Sequence, residues 1–231
     1  MSLARIAVIP ARGGSKRIAR KNILHFAGVP MLAYAIQAAR GTGLFSHVVV
    51  STDDAEVADV ARDAGAELPF LRPAELADDR TPTVPVIAHA IKACRALGWR
   101  VDVVCCIYPG VPLLPADAIA QGLALLEAGH CAYVFPVLPF RAPIQRALRR
   151  ESDGRSRPFY PEHAQTRTQD LEPAFHDAGQ FYWGHAMAWL DGLSLHGHAR
   201  TLVLPEDSVV DIDTRADWAR AEAAFMARAR A

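Results

Sequence analysis

Over the first 138 residues, short continuous apolar runs alternate with segments whose apolar residues recur at helical spacing, and few folds accept such a chain. Arg5-Ile-Ala-Val-Ile-Pro10 and His47-Val-Val-Val-Ser51 read as strands, as do Val101 to Ile107 and Cys131 to Val137. Runs without polar alternation belong in a sheet covered on both faces. Between them, stripes at i, i+3, i+4 and i+7 mark helices at Leu32–Ala39, Val57–Ala64, Ile87–Cys94 and Ile119–Leu126. The alternation predicts an α/β fold with a mainly parallel sheet and helices on both faces. At 231 residues and 51% hydrophobic, the chain suits one domain with a sizeable core and a small insertion.

The insertion follows Leu138. From Pro139 to Asp177 the sequence is polar, rich in Arg and without a sustained helical period, with a turn expected at Ser152-Asp-Gly-Arg155. Residues 139–178 therefore read as a β-rich arm. Regular structure resumes at Gly179-Gln-Phe-Tyr-Trp-Gly184, with a short helix near His185 to Leu190 and a strand at Thr201-Leu-Val-Leu204. A final helix starts near Thr214, capped by Asp213 or Thr214, with Trp218, Ala221 and Phe225 facing inward.

Charge is segregated along this frame. Seven basic residues precede the first acid, Asp53, and five of them fall between Arg12 and Lys21: Arg12, Lys16, Arg17, Arg20 and Lys21. The chain is formally neutral, so the rest of it is acidic. The cations sit in a connection of about twenty residues between Pro10 and Met31, far longer than the usual βα loop. Ligands of α/β proteins lie at the C-terminal ends of strands. Gly13 and Gly14 permit positive φ, which would let backbone N–H groups converge on an anion. A polyphosphate site is the reading; a solvated basic loop or weak nucleic-acid patch is the plainer one. The loop is neither a Walker motif nor a dinucleotide fingerprint.

Near the other end, Asp211 and Asp213 are spaced i, i+2, so on an extended segment both carboxylates share a face and suit a hard cation such as Mg²⁺. The alternative makes Asp213 a helix cap and Asp211 a surface acid. Cysteines at 94, 105, 106 and 131 show no metal or redox spacing and read as buried thiols. No run approaches the roughly 20 apolar residues of a membrane span, and the expectation is a cytoplasmic protein without nucleic-acid or membrane partners.

The stretch Ile9-Pro-Ala-Arg-Gly-Gly-Ser-Lys-Arg-Ile-Ala-Arg-Lys-Asn22 resembles the N-terminal signature of cytidylyltransferases that activate nine-carbon acidic sugars, the CMP-sialic acid synthetase family. Ser51-Thr-Asp53, Leu71-Arg-Pro-Ala-Glu-Leu-Ala-Asp78 and Val210-Asp-Ile-Asp-Thr214 follow the family's order over nearly the whole chain. Pro143-Ile-Gln-Arg146 and the segment Thr166 to Gly184 resemble the branch that takes pseudaminic acid, and Tyr108-Pro109 stands where sialic acid synthetases carry Gln-Pro. Two positions depart from the pattern: Ala19 replaces a Pro, and Gly110 stands where a Thr is usual.

The resemblance implies a Rossmann-like nucleotide-diphospho-sugar transferase fold and the reaction of CTP with a nonulosonic acid to give a CMP-sugar, for cell-surface glycans such as those on flagellin, and pyrophosphate. It implies catalytic roles for Arg12, Lys21 and Asp211, and Mg²⁺ on Asp211 and Asp213. Ala11, Arg12, Gly13, Ser15, Lys21 and Asn22 would hold the nucleotide, with Arg72 and the Ala77-Asp78-Asp79-Arg80-Thr81 region near cytosine. Tyr108, Arg167, Gln169, His176, Gln180 and Tyr182 would meet the sugar, Arg167 taking its carboxylate. For Arg167 the plainer reading is an ion pair with Asp170 or Glu172, for His176 a surface group, and for Tyr182 a core strand residue. Pairing through the 139–178 arm into a homodimer is also implied. Rival readings change the sugar to sialic, legionaminic or Kdo-like acids, or make the domain a non-catalytic nucleotide sensor.

Overall fold

The computed structural model describes residues 3–115 and 117–228. β1 (Arg5–Pro10) leads into the long basic loop, which carries a tiny ribbon of β2 (His25–Phe26) and β3 (Val29–Pro30) before α1 (Met31–Gly41). β4 (His47–Ser51), α2 (Ala55–Asp63), α3 (Thr83–Ala96), β5 (Val103–Ile107), α4 (Ala118–Glu127) and β6 (Tyr133–Pro139) complete the alternating part. The arm holds the hairpin of β7 (Leu148–Arg150) and β8 (Ser156–Pro158), and then β9 (Phe175–Asp177). β10 (Phe181–His185), α5 (Ala186–Leu190), β11 (Ala199–Val203) and α6 (Arg215–Arg228) finish the chain.

The central sheet runs β11-β6-β10-β5-β1-β4, with β9 also paired to β6. β1 pairs in parallel with β4 and β5, and β11 in parallel with β6. β10 is wedged antiparallel between β5 and β6, and β9 is antiparallel to β6. The sheet is thus mostly parallel, as expected, with two reversed strands. The reversal has a physical reason. The chain returns from the arm without a crossover helix, and only such a crossover allows a parallel strand.

Both faces are covered. α1, α2 and α4 bury Leu32, Ile36, Val57 and Leu123 against Ala7, Ile9, Val50 and Cys105. α3 and α5 bury Ile87, Ile91 and Trp189 against Val8, Val104, Cys106 and Tyr182. Adjacent Cys105 and Cys106 point to opposite faces, as strand neighbours must, and are free buried thiols. In a third cluster Trp218 and Ala221 of α6 pack with Ile18, Phe26 and Ile212. Phe26 meets Trp218, Phe225 and Tyr34 edge-on at 5.4, 5.5 and 5.6 Å. This cluster staples the basic loop to the C-terminal segment. Among the described residues no helix is long and apolar enough to cross a membrane.

Candidate active site

The basic loop is an ordered structure rather than a free charged strand. Buried Ile18 plugs it into the third cluster, and the buried Asn22 side chain donates from Nδ2 to the Arg12 carbonyl at 2.9 Å. Its entry is fixed where β1 ends, with Ala11 N donating to Ser51 O at 2.9 Å and Gly13 N to the Asp53 carboxylate at 3.1 Å. Neither Gly13 nor Gly14 has positive φ; the left-handed residues in the loop are Arg20 at φ 56°, Ala27 at 45° and Gly28 at 87°. Gly13 is required for space, because a Cβ there would collide with the Asp54 carboxylate, whereas Gly14 faces open room. The expectation of a positive-φ anion nest is therefore corrected: close approach of the β4–α2 turn, not handedness, selects the first glycine.

Four of the five cations face one cleft. Arg12, Ser15, Lys16, Arg17, Lys21 and Asn22 line a cleft of about 430 Å³ floored by Pro10 and Pro109, with Asp213 on its far wall. Arg20 turns away. It binds Asp54 and Glu56 on α2, and Asp54 also caps that helix by accepting from Val57 N at 3.0 Å. Arg12 pairs with Asp79 at 2.6 Å, Lys16 pairs with the same carboxylate, and Arg17 pairs with Asp213 at 2.5 Å. Lys21 Nζ donates to Ile212 O at 2.7 Å. Partial burial pulls the Lys21 ammonium below the ordinary lysine value, with Asp213 and Asp211 opposing the shift.

Asp211 and Asp213 flank Ile212, whose side chain is buried beside Trp218, so the carboxylates are turned out of the core. Desolvation first, and then Asp213, push the Asp211 carboxyl above the usual carboxylate value. Two like charges held together favour a cation between them. Among the described residues no group of three or more His, Cys, Asp or Glu side chains is placed to hold a metal. A two-carboxylate donor set suits Mg²⁺, which keeps waters and takes phosphate oxygens as its other ligands. The cap of α6 is Thr214: its hydroxyl accepts from Asp217 N at 3.2 Å, while Asp217 accepts from Thr214 N at 2.7 Å. That reciprocal box leaves the Asp213 side chain free of capping duty.

Two further clefts adjoin. One, of about 320 Å³, shares Arg12, Asp79, Pro10 and Pro109 with the first and is lined by Arg72, Thr81, Thr83 and Tyr108. Arg72 is buried, donating to Ser51 Oγ at 3.1 Å and Ser51 O at 2.5 Å. Burial lowers its pKa to about 10, and it remains a cation at neutral pH. The other, of about 680 Å³, begins at Asp211 and runs between Leu138–Arg141, His176–Gly179 and Arg220.

The expected sugar contacts divide. His176 lines the large cleft, exposed, with Nδ1 3.1 Å from Asp177 O. Tyr108 instead borders the cleft with Arg72, its hydroxyl 2.8 Å from Thr83 Oγ1. Gln180, just before β10, and Tyr182, within it, are both buried, Gln180 donating to Ala178 O at 3.0 Å and Tyr182 to Asp177 at 2.9 Å. Arg167 and Gln169 stand exposed on the arm and line none of these three clefts. Arg80 lies exposed on the outside of the Asp78–Thr81 turn, its backbone N–H bonded to Asp78. Gly110 lies beside Lys21, with the Cε 4.0 Å from where a Cβ would be, so a threonine would fit. Sequence reasoning passed over Thr83, Arg141, Asp177 and Arg220, whose places depend on contacts between distant segments, while Asp79 lies with Arg72 and Thr81 in the second cleft.

A cytidylyltransferase family model matches residues 6–149. A pseudaminic acid cytidylyltransferase of Campylobacter jejuni is 40% identical over 213 residues, covering 92% of this chain and 92% of that protein. A CMP-N,N'-diacetyllegionaminic acid synthase of Legionella pneumophila is 30% identical over 225 residues, covering 94% of each. Among solved structures, a CMP:2-keto-3-deoxy-manno-octonic acid synthetase complexed with CTP superposes with a TM-score of 0.71 over 98% of this chain and 99% of that one, at 16% identity. That last likeness is one of fold.

Proposed function

The chain belongs to the cytidylyltransferase family, and on that premise we propose that it condenses CTP with pseudaminic acid, giving CMP-pseudaminic acid and pyrophosphate. The observation that carries this reading is the meeting of the two ends of the chain. Arg12, Lys16, Arg17 and Lys21 border one cleft with Asp213, Asp211 opens the large cleft beside it, and the Lys21–Ile212 bond of 2.7 Å ties the loop to the residue between the two acids. A nucleoside triphosphate is the ligand that needs both signs of charge, for its phosphates and for the metal they bring.

In this reading Arg12 forks onto phosphate oxygens, while Lys16, Arg17 and Lys21 supply compact or mobile positive charge along the chain of phosphates. The cytosine lies in the adjoining cleft, its polar edge toward Arg72, Thr81 and Thr83. The acceptor enters the large cleft beyond Asp211, so that its anomeric hydroxyl approaches the α-phosphorus opposite the departing pyrophosphate. Asp211 and Asp213 would hold Mg²⁺, which would neutralise phosphate charge. Arg12 and Lys21 meet the charge that grows on the leaving group. The guanidinium groups bordering the large cleft are Arg141 and Arg220, and Arg141, rather than the expected Arg167, is assigned to the acceptor carboxylate.

A homodimer through the arm is part of the proposal. Phe140, Leu148, Phe159, Tyr160 and Phe175 are all exposed there, and a lone two-stranded ribbon is at best marginal in water. Leu148→Arg should convert a dimer to a monomer in sedimentation. The buried free thiols agree with a reducing cytoplasm, and the product would supply cell-surface glycan assembly, on flagellin for instance.

The test is pyrophosphate release from CTP and Mg²⁺ with a panel of nonulosonic acids. Turnover fastest with pseudaminic acid supports the proposal. A preference for legionaminic or sialic acid changes the acceptor, and silence with every acid leaves a nucleotide sensor.

A further inference from the structure

β9 and β10 both pair with β6, and they run along it in the same direction. Their registers differ: Val137 faces Asp177 in one and Val134 faces Trp183 in the other. Along β6 the step is three residues, whereas along the returning strand it is six, so after Ala178, whose N–H still donates to Pro136 O at 3.0 Å, Gly179 and Gln180 leave the ladder as an excursion. Such interruptions bend a strand and re-aim its residues, commonly beside active sites. Here Ala178 and Gly179 form part of the wall of the large cleft.

What fixes this excursion is Asp177. Its Oδ1 accepts from Gly179 N at 2.8 Å, closing a tight turn across Ala178 with Gly179 at φ 61°. Its Oδ2 accepts from Tyr182 OH at 2.9 Å and lies 3.0 Å from His196 Nε2. Asp177 is opposite Val137, a residue of the face covered by α3 and α5, whereas His176 is opposite Leu138 of the other face. Asp177 lines the cleft together with His176, Ala178 and Gly179, while its carboxylate is held by Gly179, Tyr182 and His196. Tyr182 carries the connection onward. Its ring lies 5.3 Å from that of Tyr108, whose hydroxyl is 2.8 Å from Thr83 Oγ1 on the rim of the base cleft. Both phenols are buried well enough to stay neutral, so Tyr182 remains a hydrogen-bond donor. A buried donor whose partner is removed is costly, and for that reason the arrangement holds one shape.

We propose that Asp177 is a positioning residue for the acceptor sugar: through Gly179 it sets the wall of the acceptor cleft, and through Tyr182 and Tyr108 it ties that wall to the nucleobase cleft. The proposal rests on the acceptor reading of the large cleft given above. Asp177 does not touch the reacting atoms; it acts through the Gly179 turn and the tyrosine pair.

The test is steady-state kinetics of pyrophosphate release for Asp177→Ala, Asp177→Asn and Tyr182→Phe, beside CTP titration of each protein. Loss of the carboxylate should raise the acceptor KM about tenfold or more in Asp177→Ala, as for loss of a charge-assisted hydrogen bond, with CTP affinity within about twofold. Asp177→Asn keeps an acceptor for Gly179 N and should recover most of the loss; Tyr182→Phe should fall between. A merely structural role would lower the melting temperature and weaken CTP and acceptor together, and that result would overturn the proposal. So would an unchanged acceptor KM in Asp177→Ala. If Asp177→Ala fails to fold, Tyr182→Phe decides by the same criterion. Wild-type protein inactive with every acid would instead remove the acceptor reading itself.

Discussion

Lys21 and Ile212 stand 191 positions apart in sequence, yet the lysine Nζ donates to the isoleucine carbonyl at 2.7 Å. That bond draws the ammonium to within electrostatic reach of both Asp211 and Asp213. One loop and one short extended segment thus form a single charged cleft.

The lysine is partly buried, and its pKa is lowered mainly by that burial. It attracts phosphate only when protonated, so a lowered pKa moves the alkaline loss of affinity to lower pH. CTP affinity measured without Mg²⁺ should therefore decline below the pH expected of an ordinary lysine. Lys21→Arg should carry the limb back up, and Lys21→Ala should weaken CTP far more than acceptor. A limb that stays in place in Lys21→Arg would assign it to another group.

The raised pKa of Asp211 means that the folded state binds its proton more tightly than the unfolded chain does. At neutral pH its charge accordingly opposes folding. Asp211→Asn should leave the melting temperature unchanged or raise it, while pyrophosphate release falls about a hundredfold or more through lost metal binding. Full turnover at saturating Mg²⁺ would take Asp211 out of the metal site.

Asp79 competes for Arg12 and Lys16, the cations assigned to the phosphates. Exposed pairs of this kind are weak and screened by solvent. Releasing both cations in Asp79→Asn should tighten CTP binding by roughly two- to fivefold. Weaker binding by calorimetry would show that Asp79 orders the loop instead of competing in it.

Arg141 borders the large cleft, whereas Arg167 is exposed on the arm. Arg141→Ala should raise the acceptor KM about tenfold with little change for CTP. Arg167→Ala should have the smaller effect on a per-site basis. The reverse order would return the carboxylate to the arm.

Gly184 leaves no space for a side chain, since a Cβ there would lie 2.5 Å from both Trp189 Nε1 and Tyr133 Cδ1. Gly184→Ala should cost about 1–3 kcal/mol by overpacking, or roughly 2–4 °C of melting temperature per kcal/mol. A melt identical to wild type would mean that the Tyr133–Trp189 pair repacks freely.

The strands and helices were legible because apolar spacing reports burial directly, and the cation-rich loop and the i, i+2 acids were legible by type and order. The reversed β10 was not. Its residues are as apolar as those of a parallel strand, and its direction is dictated by the absence of a crossover helix. Tyr182 and Gln180 were placed with the sugar because their residue types suit hydroxyl recognition; register against Cys106 and β6 puts the tyrosine inside instead. Asp79 was legible only as part of the 77–81 region, and Asp177 was silent because a single acid in a polar stretch has no period. Only tertiary contact shows that one joins two cations and the other closes a turn.

The third apolar cluster, in which Ile18 and Phe26 from the early loop pack with Ile212 and Trp218, has a consequence for how the protein is made. A ribosome-bound chain lacking the stretch through Trp218 would have its cations displayed without their anchor or opposing acids. Nucleotide capture would switch on only once α6 has emerged and locked the loop.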